Sequence, residues 1–179
     1  MKPARGRAKD DAVGRILSYF VSILTICAIV GGLYGYFSSQ HDKRVEKTFE
    51  FYKTFRTDPL RKDWALLISR WNESADKVKP LLDQQKYDEL AALVITLVSD
   101  NSSREAFGHI VDFFDEFYSC VENSLCDRNS GVALLKDSAG EFIGPYGAYI
   151  NFLRNKYGDE TIGSSVYKVH SMTKEFSLF

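Results

Sequence analysis

An arginine and a histidine stand five positions apart, at Arg104 and His109. A guanidinium can hold a phosphate through two hydrogen bonds, and an imidazole can exchange a proton near neutral pH. The pair is therefore a candidate for cleavage of a phosphodiester. Five positions along a helix separate two side chains by about 140°, so a continuous helix does not bring them together. We expect Arg104 and His109 to be structural residues, with ribonuclease chemistry as the alternative.

A second candidate is Arg154-Asn155, followed by Asp159. Arg154 is predicted to lie at the C-terminal end of a helix, where a cation complements the helix dipole and binds free carbonyls. Asp159 follows Arg154 by five positions, and an aspartate of ordinary pKa is a poor proton donor at neutral pH. We expect a structural role for Arg154.

His109, Asp112 and Glu116 are spaced to share one helix face, where they could bind a metal ion. A solvated charged helix face explains the same pattern, and we predict no metal site. The sequence has no nucleophile elbow, phosphate-binding loop, dinucleotide-binding glycine triplet or zinc-protease motif. We therefore expect no enzymatic activity and no cofactor.

The strongest pattern is an uncharged apolar run at residues 16–37, long enough as a helix to span a bilayer. Tyr19 and Phe20 lie near one end and Tyr34, Tyr36 and Phe37 near the other, as is typical of membrane interfaces. A buried helix of a soluble protein and a cleaved signal peptide are the alternatives. We predict a tail without regular structure at residues 1–15, a transmembrane helix at 16–37 and a soluble domain at 38–179.

Small residues follow one side of the predicted transmembrane helix. Gly31 and Gly35 form G-x-x-x-G, and Cys27 extends the stripe, with Ala28 and Gly32 beside it. Small residues four apart let membrane helices approach closely, which favours self-association, although glycine is also common in such helices for other reasons. The bilayer and further copies of the chain are the partners we expect.

The remaining chain predicts an all-α fold. Apolar residues at helical spacing continue the transmembrane helix to about Thr57, and Asp58-Pro59 ends it. Further helices are predicted over residues 60–78 before Pro80, 87–98, and 102–125 with a Ser102–Glu105 capping box. A turn at 127–131, a short helix over 132–136, a helix from Ser138 to Gly158 and a last helix over 161–176 complete the prediction.

Charge and cysteine content give conflicting indications of compartment. Residues 38–179 carry 22 acidic and 18 basic side chains, which argues against a general nucleic-acid-binding domain. Basic residues flank both ends of the apolar run, and five precede it, so the positive-inside rule leans towards a cytoplasmic N-terminus. Cys120 and Cys126 are predicted to be reduced thiols, which favours a reducing compartment for the domain.

Three short stretches resemble a family of small bacterial single-pass membrane proteins with a HEPN-like helical domain. They are residues 43–49 (KRVEKTF), 113–116 (FFDE) and 149–154 (YINFLR). The layout is similar to that of the membrane accessory proteins of type VI CRISPR systems. The resemblance implies a cytoplasmic domain, assembly into a membrane pore and a role in antiphage defence. It places the HEPN motif at Arg154-Asn155, with Asp159 instead of histidine, and the Arg104–His109 spacing also fits that motif.

We therefore expect an oligomeric inner-membrane protein that perturbs the bacterial membrane during phage infection, with a defence protein or RNA as a further partner. A membrane-tethered HEPN-like ribonuclease is one alternative. A structural or scaffolding membrane protein, with its domain outside the cytoplasm, is the other.

Overall fold

The computed structural model describes the backbone of residues 7–173 and the side chains of Tyr19 and residues 21–173. The described residues form seven α-helices: α1 (Arg7–Phe55), α2 (Leu60–Glu73), α3 (Ala75–Asp83), α4 (Tyr87–Leu97), α5 (Asn101–Glu122), α6 (Arg128–Tyr157) and α7 (Ser164–Ser171). No strand occurs among them. The all-α prediction is confirmed.

The chain divides into two compact units, residues 1–42 and 43–179. Helix α1 contributes to both and ends at Phe55, two residues before the predicted end. It already begins at Arg7, inside the segment predicted to lack regular structure, while residues 1–6 of that segment lie outside the described part.

Helix α5 supplies the centre of the core in the second unit, as its apolar stripe predicts. Phe107, Ile110, Phe114, Phe117 and Val121 are all buried. The last turns of α1 pack against this helix, because Phe55 stacks on Phe113 with ring centroids 5.1 Å apart. Leu125, the last residue of the helix predicted over 102–125, lies beyond the observed helix end and is exposed.

The start of α5 differs from the predicted capping box at Ser102 and Glu105. Asp100 is the N-cap, and its carboxylate accepts hydrogen bonds from the Ser103 backbone N–H at 2.9 Å and from the Ser103 hydroxyl at 2.7 Å. Both bonds lower the pKa of Asp100, and the bond from the backbone N–H has the larger effect. The helix is therefore capped two residues before the predicted position, and the aspartate satisfies the free backbone N–H of Ser103.

Helix boundaries near the two internal prolines also differ from prediction. The predicted helix over 60–78 breaks at Ser74, and Pro80 lies inside α3. The predicted turn at 127–131 and the two helices after it are instead one helix, α6, which contains Pro145 and begins after the N-cap Asp127. A proline leaves the carbonyl four residues earlier without its helical donor. Here those carbonyls belong to Asp76 and Glu141, which are both exposed residues.

Tyrosine and phenylalanine side chains of α6 close the other side of the core. Phe107 of α5 contacts Phe142 and Tyr149, with centroids 5.4 and 4.8 Å apart. The helix ends as predicted at Gly158, which adopts a left-handed conformation with φ of 65°. Helix α7 covers part of the predicted last helix, and residues 174–176 of that prediction lie outside the described residues.

Candidate functional site

The first candidate site is the apolar part of α1. Every described side chain from Val21 to Phe37 is exposed. Within the part of the chain that the structure describes, one helix is long and apolar enough to cross a membrane, and its most apolar window is 0% buried. Such a surface is unfavourable in water, because apolar area gains free energy when it leaves water.

The predicted small-residue face lies on this exposed segment. A Cβ built on Gly31, Gly32 or Gly35 would meet nothing within 4 Å, and Cys27 is an exposed free thiol. Ala28 is also exposed. No close packing within this chain therefore requires small residues here, and the face is open to a bilayer or to another helix.

Arg104 and His109 lie at different cavities, as the angle between them on the helix predicts. The Arg104 Nη2 donates a hydrogen bond to the Ser99 carbonyl at 2.5 Å. His109 Nδ1 lies 2.8 Å from an Asp63 carboxylate oxygen and so joins α5 to α2. Arg104 borders a cavity between α4, α5 and α6, whereas His109 borders one between α1 and α5. One copy of the chain does not bring the two groups onto one phosphate.

Arg154 and Asp159 hold the connection between α6 and α7. Arg154 Nε donates to the Ile162 carbonyl at 2.8 Å, and its guanidinium carbon lies 5.2 Å from the centre of the Tyr167 ring. Asp159 accepts from both the hydroxyl and the backbone N–H of Thr161. Both bonds lower the pKa of Asp159, and the bond from the Thr161 hydroxyl has the larger effect. It is therefore a carboxylate at neutral pH and no proton donor, while Asn155 beside Arg154 is exposed.

The charged face of α5 does not gather metal ligands. Among the described residues, no group of three or more His, Cys, Asp or Glu side chains could hold a metal ion. His109, Asp112 and Glu116 border an open cavity together with Lys47 and Glu50, so both basic and acidic side chains line it.

The cysteine prediction is wrong. Cys120 and Cys126 form a disulfide, with Cα atoms 5.2 Å apart. The turn between them brings the sulfur atoms together, because Leu125 and Cys126 both donate backbone hydrogen bonds to the Cys120 carbonyl. Both cysteines are buried under this turn. The spacing alone did not reveal the pairing, since a distance of six positions fixes no turn geometry.

Comparison with known proteins identifies no relative of this chain. No family model, curated protein or solved structure matches this chain.

Proposed function

We propose that this is a single-pass protein of the bacterial inner membrane that acts by assembling with copies of itself rather than by catalysis. The observation that carries the proposal is the small-residue face of α1. It lies on an exposed apolar helix, and its glycines have open space where a side chain would be. Gly31 and Gly35 would allow close backbone contact between two such helices.

In its finer form, the proposal is that the protein perturbs the membrane in antiphage defence and has a HEPN-like cytoplasmic domain. This form rests on the resemblance in three short stretches.

The contacts of the candidate catalytic residues support a non-enzymatic role. Arg104 and Arg154 bind backbone carbonyls, and His109 pairs with Asp63. The ribonuclease alternative would require two copies to bring such residues together.

Cys27 offers a direct test of assembly, because it lies on the small-residue face and is the free cysteine of the chain. Mild oxidation of membranes should link two copies through Cys27. Gly31→Leu with Gly35→Leu should suppress the linked species on a non-reducing gel. A Cys27→Ser, Ile29→Cys variant is the matched control, because position 29 lies about 200° around the helix from position 27. Equal cross-linking from positions 27 and 29 contradicts the proposal.

A second candidate is a scaffolding protein whose domain lies outside the cytoplasm, and the Cys120–Cys126 disulfide favours it. Disulfides persist in oxidising compartments such as the bacterial periplasm and are rare in the cytosol. The five basic residues before the apolar run favour the same orientation.

Labelling with a membrane-impermeant maleimide separates the two orientations. The reporter is Lys79→Cys in a Cys27→Ser background, since Lys79 is exposed on α3. Labelling in intact spheroplasts places the domain outside. Labelling that occurs only after lysis places the domain in the cytoplasm. In that case, Cys120 and Cys126 should also be reduced in acid-quenched cells.

A further inference from the structure

A cavity of about 470 Å³ lies where α4, α5 and α6 meet the segment before α7. Its floor is apolar, because Phe107, Val111 and Tyr149 are buried beneath it and Phe152 is half-buried at its side. This volume is within the range of sites that take small molecules, and aromatic lining with a few polar groups is their usual composition.

Gly108 opens this cavity from the middle of α5. A Cβ built there would meet nothing within 4 Å, although the residue is only half-exposed. Glycine inside a helix is destabilising relative to alanine, so close packing is the usual reason for it. Gly131 has such a reason, because its Cβ would lie 2.6 Å from the Phe117 ring. Packing within the chain gives no such reason at Gly108, where the missing side chain leaves a notch beside the aromatic floor.

Two cationic side chains line this cavity, Arg104 and Lys156. Arg104 is held in place by the bond to the Ser99 carbonyl, which uses one of the five guanidinium N–H donors. Lys156 Nζ lies 5.8 Å from the centre of the Phe152 ring and 5.2 Å from that of Tyr157. Among the described residues that line this cavity, Asp112 is the one acidic side chain, so cations outnumber anions around an apolar floor.

We propose that this cavity binds a small organic anion, whose apolar, preferably aromatic, part fills the notch at Gly108 and whose carboxylate or phosphate faces Arg104 and Lys156. Aromatic rings pack well against the Phe107 and Tyr149 rings. Arginine is suited to the anionic end, because its planar donors match a carboxylate or phosphate. The inference does not depend on self-assembly, since all of these residues belong to the second unit.

Three water-soluble naphthalene probes test the proposal on the full chain in nanodiscs, with empty nanodiscs as the blank. They are 2-naphthoate, neutral 2-naphthalenemethanol and cationic 2-naphthylmethylammonium. Isothermal titration should show saturable binding of 2-naphthoate, about tenfold weaker binding of the neutral probe and the weakest binding of the cation. Equal binding of all three, or no saturable binding of 2-naphthoate, overturns the proposal.

Gly108→Leu fills the notch, and we expect it to weaken 2-naphthoate binding at least tenfold. Gly144→Leu is its matched control, because Gly144 is a helical glycine whose Cβ also meets nothing and which does not line the cavity. Arg104→Gln should weaken 2-naphthoate binding severalfold while leaving binding of the neutral probe unchanged. Thermal unfolding of each variant identifies any that fails to fold. Equal loss of binding in Gly108→Leu and Gly144→Leu, with both folded, overturns the proposal.

Discussion

The hydroxyl of Thr48 accepts a hydrogen bond from the backbone N–H of Asp127 at 2.8 Å and so joins α1 to the start of α6. Thr48 is completely buried. Its hydroxyl also donates to the Arg44 carbonyl at 2.9 Å, so the group is used both as donor and as acceptor. Asp127 follows Cys126 directly, which means that the disulfide-closed turn is attached to α1 at this point.

Replacement of Thr48 by valine should therefore destabilise the domain. Valine keeps the shape but removes the hydrogen bonds of the hydroxyl from the Asp127 N–H and to the Arg44 carbonyl, while the Asp127 N–H keeps its contact to the Arg44 carbonyl at 3.2 Å. A typical intramolecular hydrogen bond contributes about 0.5–1.5 kcal/mol. We expect a loss of about 1–2 kcal/mol in the free energy of unfolding, measured with urea on the full chain in detergent.

Thr54→Val provides the control for Thr48→Val. The Thr54 hydroxyl is exposed and bonds only within its own helix, to the Glu50 carbonyl at 3.0 Å. Its replacement should change the free energy of unfolding by less than about 0.5 kcal/mol. Equal effects of the two variants would mean that the Thr48–Asp127 contact contributes nothing beyond the loss of a threonine hydroxyl.

Removal of the disulfide should loosen the same region. Closing a loop this short between Cys120 and Cys126 is expected to stabilise by roughly 2 kcal/mol, through the entropy of the unfolded chain. Cys120→Ser with Cys126→Ser should lose about that much, and dithiothreitol should produce the same loss in the unmodified chain. Amide hydrogen exchange at residues 120–127 should rise in both cases.

Dithiothreitol should have no further effect on the double serine variant, and Cys27→Ser should respond to it as the unmodified chain does. If Cys27→Ser instead removed the response to reduction, the disulfide assignment would be wrong.

Helix α5 and the apolar part of α1 could be predicted from the sequence, because each depends on a pattern of neighbouring residues along the chain. The apolar residues that α5 buries recur every three or four positions, at Phe107, Ile110, Phe114, Phe117 and Val121, which is the period of a helix face. Helix α6 was predicted as a turn and two helices, because Ser138 with Glu141 has the spacing of a capping box that would start a new helix. In the folded chain, Leu135 and Ala139 on either side of that predicted boundary are both buried in the core, and tertiary packing overrides the local signal.

The contacts that decide the roles of the candidate site residues could not be predicted, since they depend either on contacts between distant parts of the chain or on the geometry of turns and helix ends. His109 reaches Asp63 across 46 positions. The Cys120–Cys126 pairing depends on a turn in which Ser124 has a φ of 56°, a conformation that serine rarely adopts. Helical periodicity carries no information on either.

Gly163→Ala should destabilise the junction between α6 and α7 for two reasons. Gly163 has a φ of 63°, which alanine adopts only with strain, and a new Cβ would lie 3.1 Å from the Ile150 side chain. Gly158→Ala shares the first reason alone, because its φ is 65° but its Cβ meets nothing within 4 Å. We expect a loss of about 1 kcal/mol for Gly158→Ala and roughly 2–3 kcal/mol for Gly163→Ala in urea unfolding. Equal losses would show that the Ile150 side chain moves aside for the new Cβ at no cost in free energy.

Tyr146 should make the domain sensitive to alkaline pH. Its hydroxyl donates to the Leu67 carbonyl at 2.6 Å in the core, and burial raises its pKa to about 12. An unfolded tyrosine ionises near pH 10. The raised pKa means that this stabilisation is fully present below about pH 10 and is lost as pH rises through about 12.

Tyr146→Phe should therefore lose about 1 kcal/mol near pH 8, where the hydrogen bond is intact, and this deficit should shrink as pH rises from 10 to 11.5. Tyr157→Phe is the control, because the Tyr157 side chain is 64% exposed. Its replacement should change the free energy of unfolding by less than about 0.5 kcal/mol near pH 8. Urea unfolding at four pH values measures both differences, and the comparison cancels the titration of the other tyrosines and the lysines. A deficit of Tyr146→Phe that stays constant to pH 11.5 would show that the Tyr146 phenol ionises as easily in the folded domain as in water.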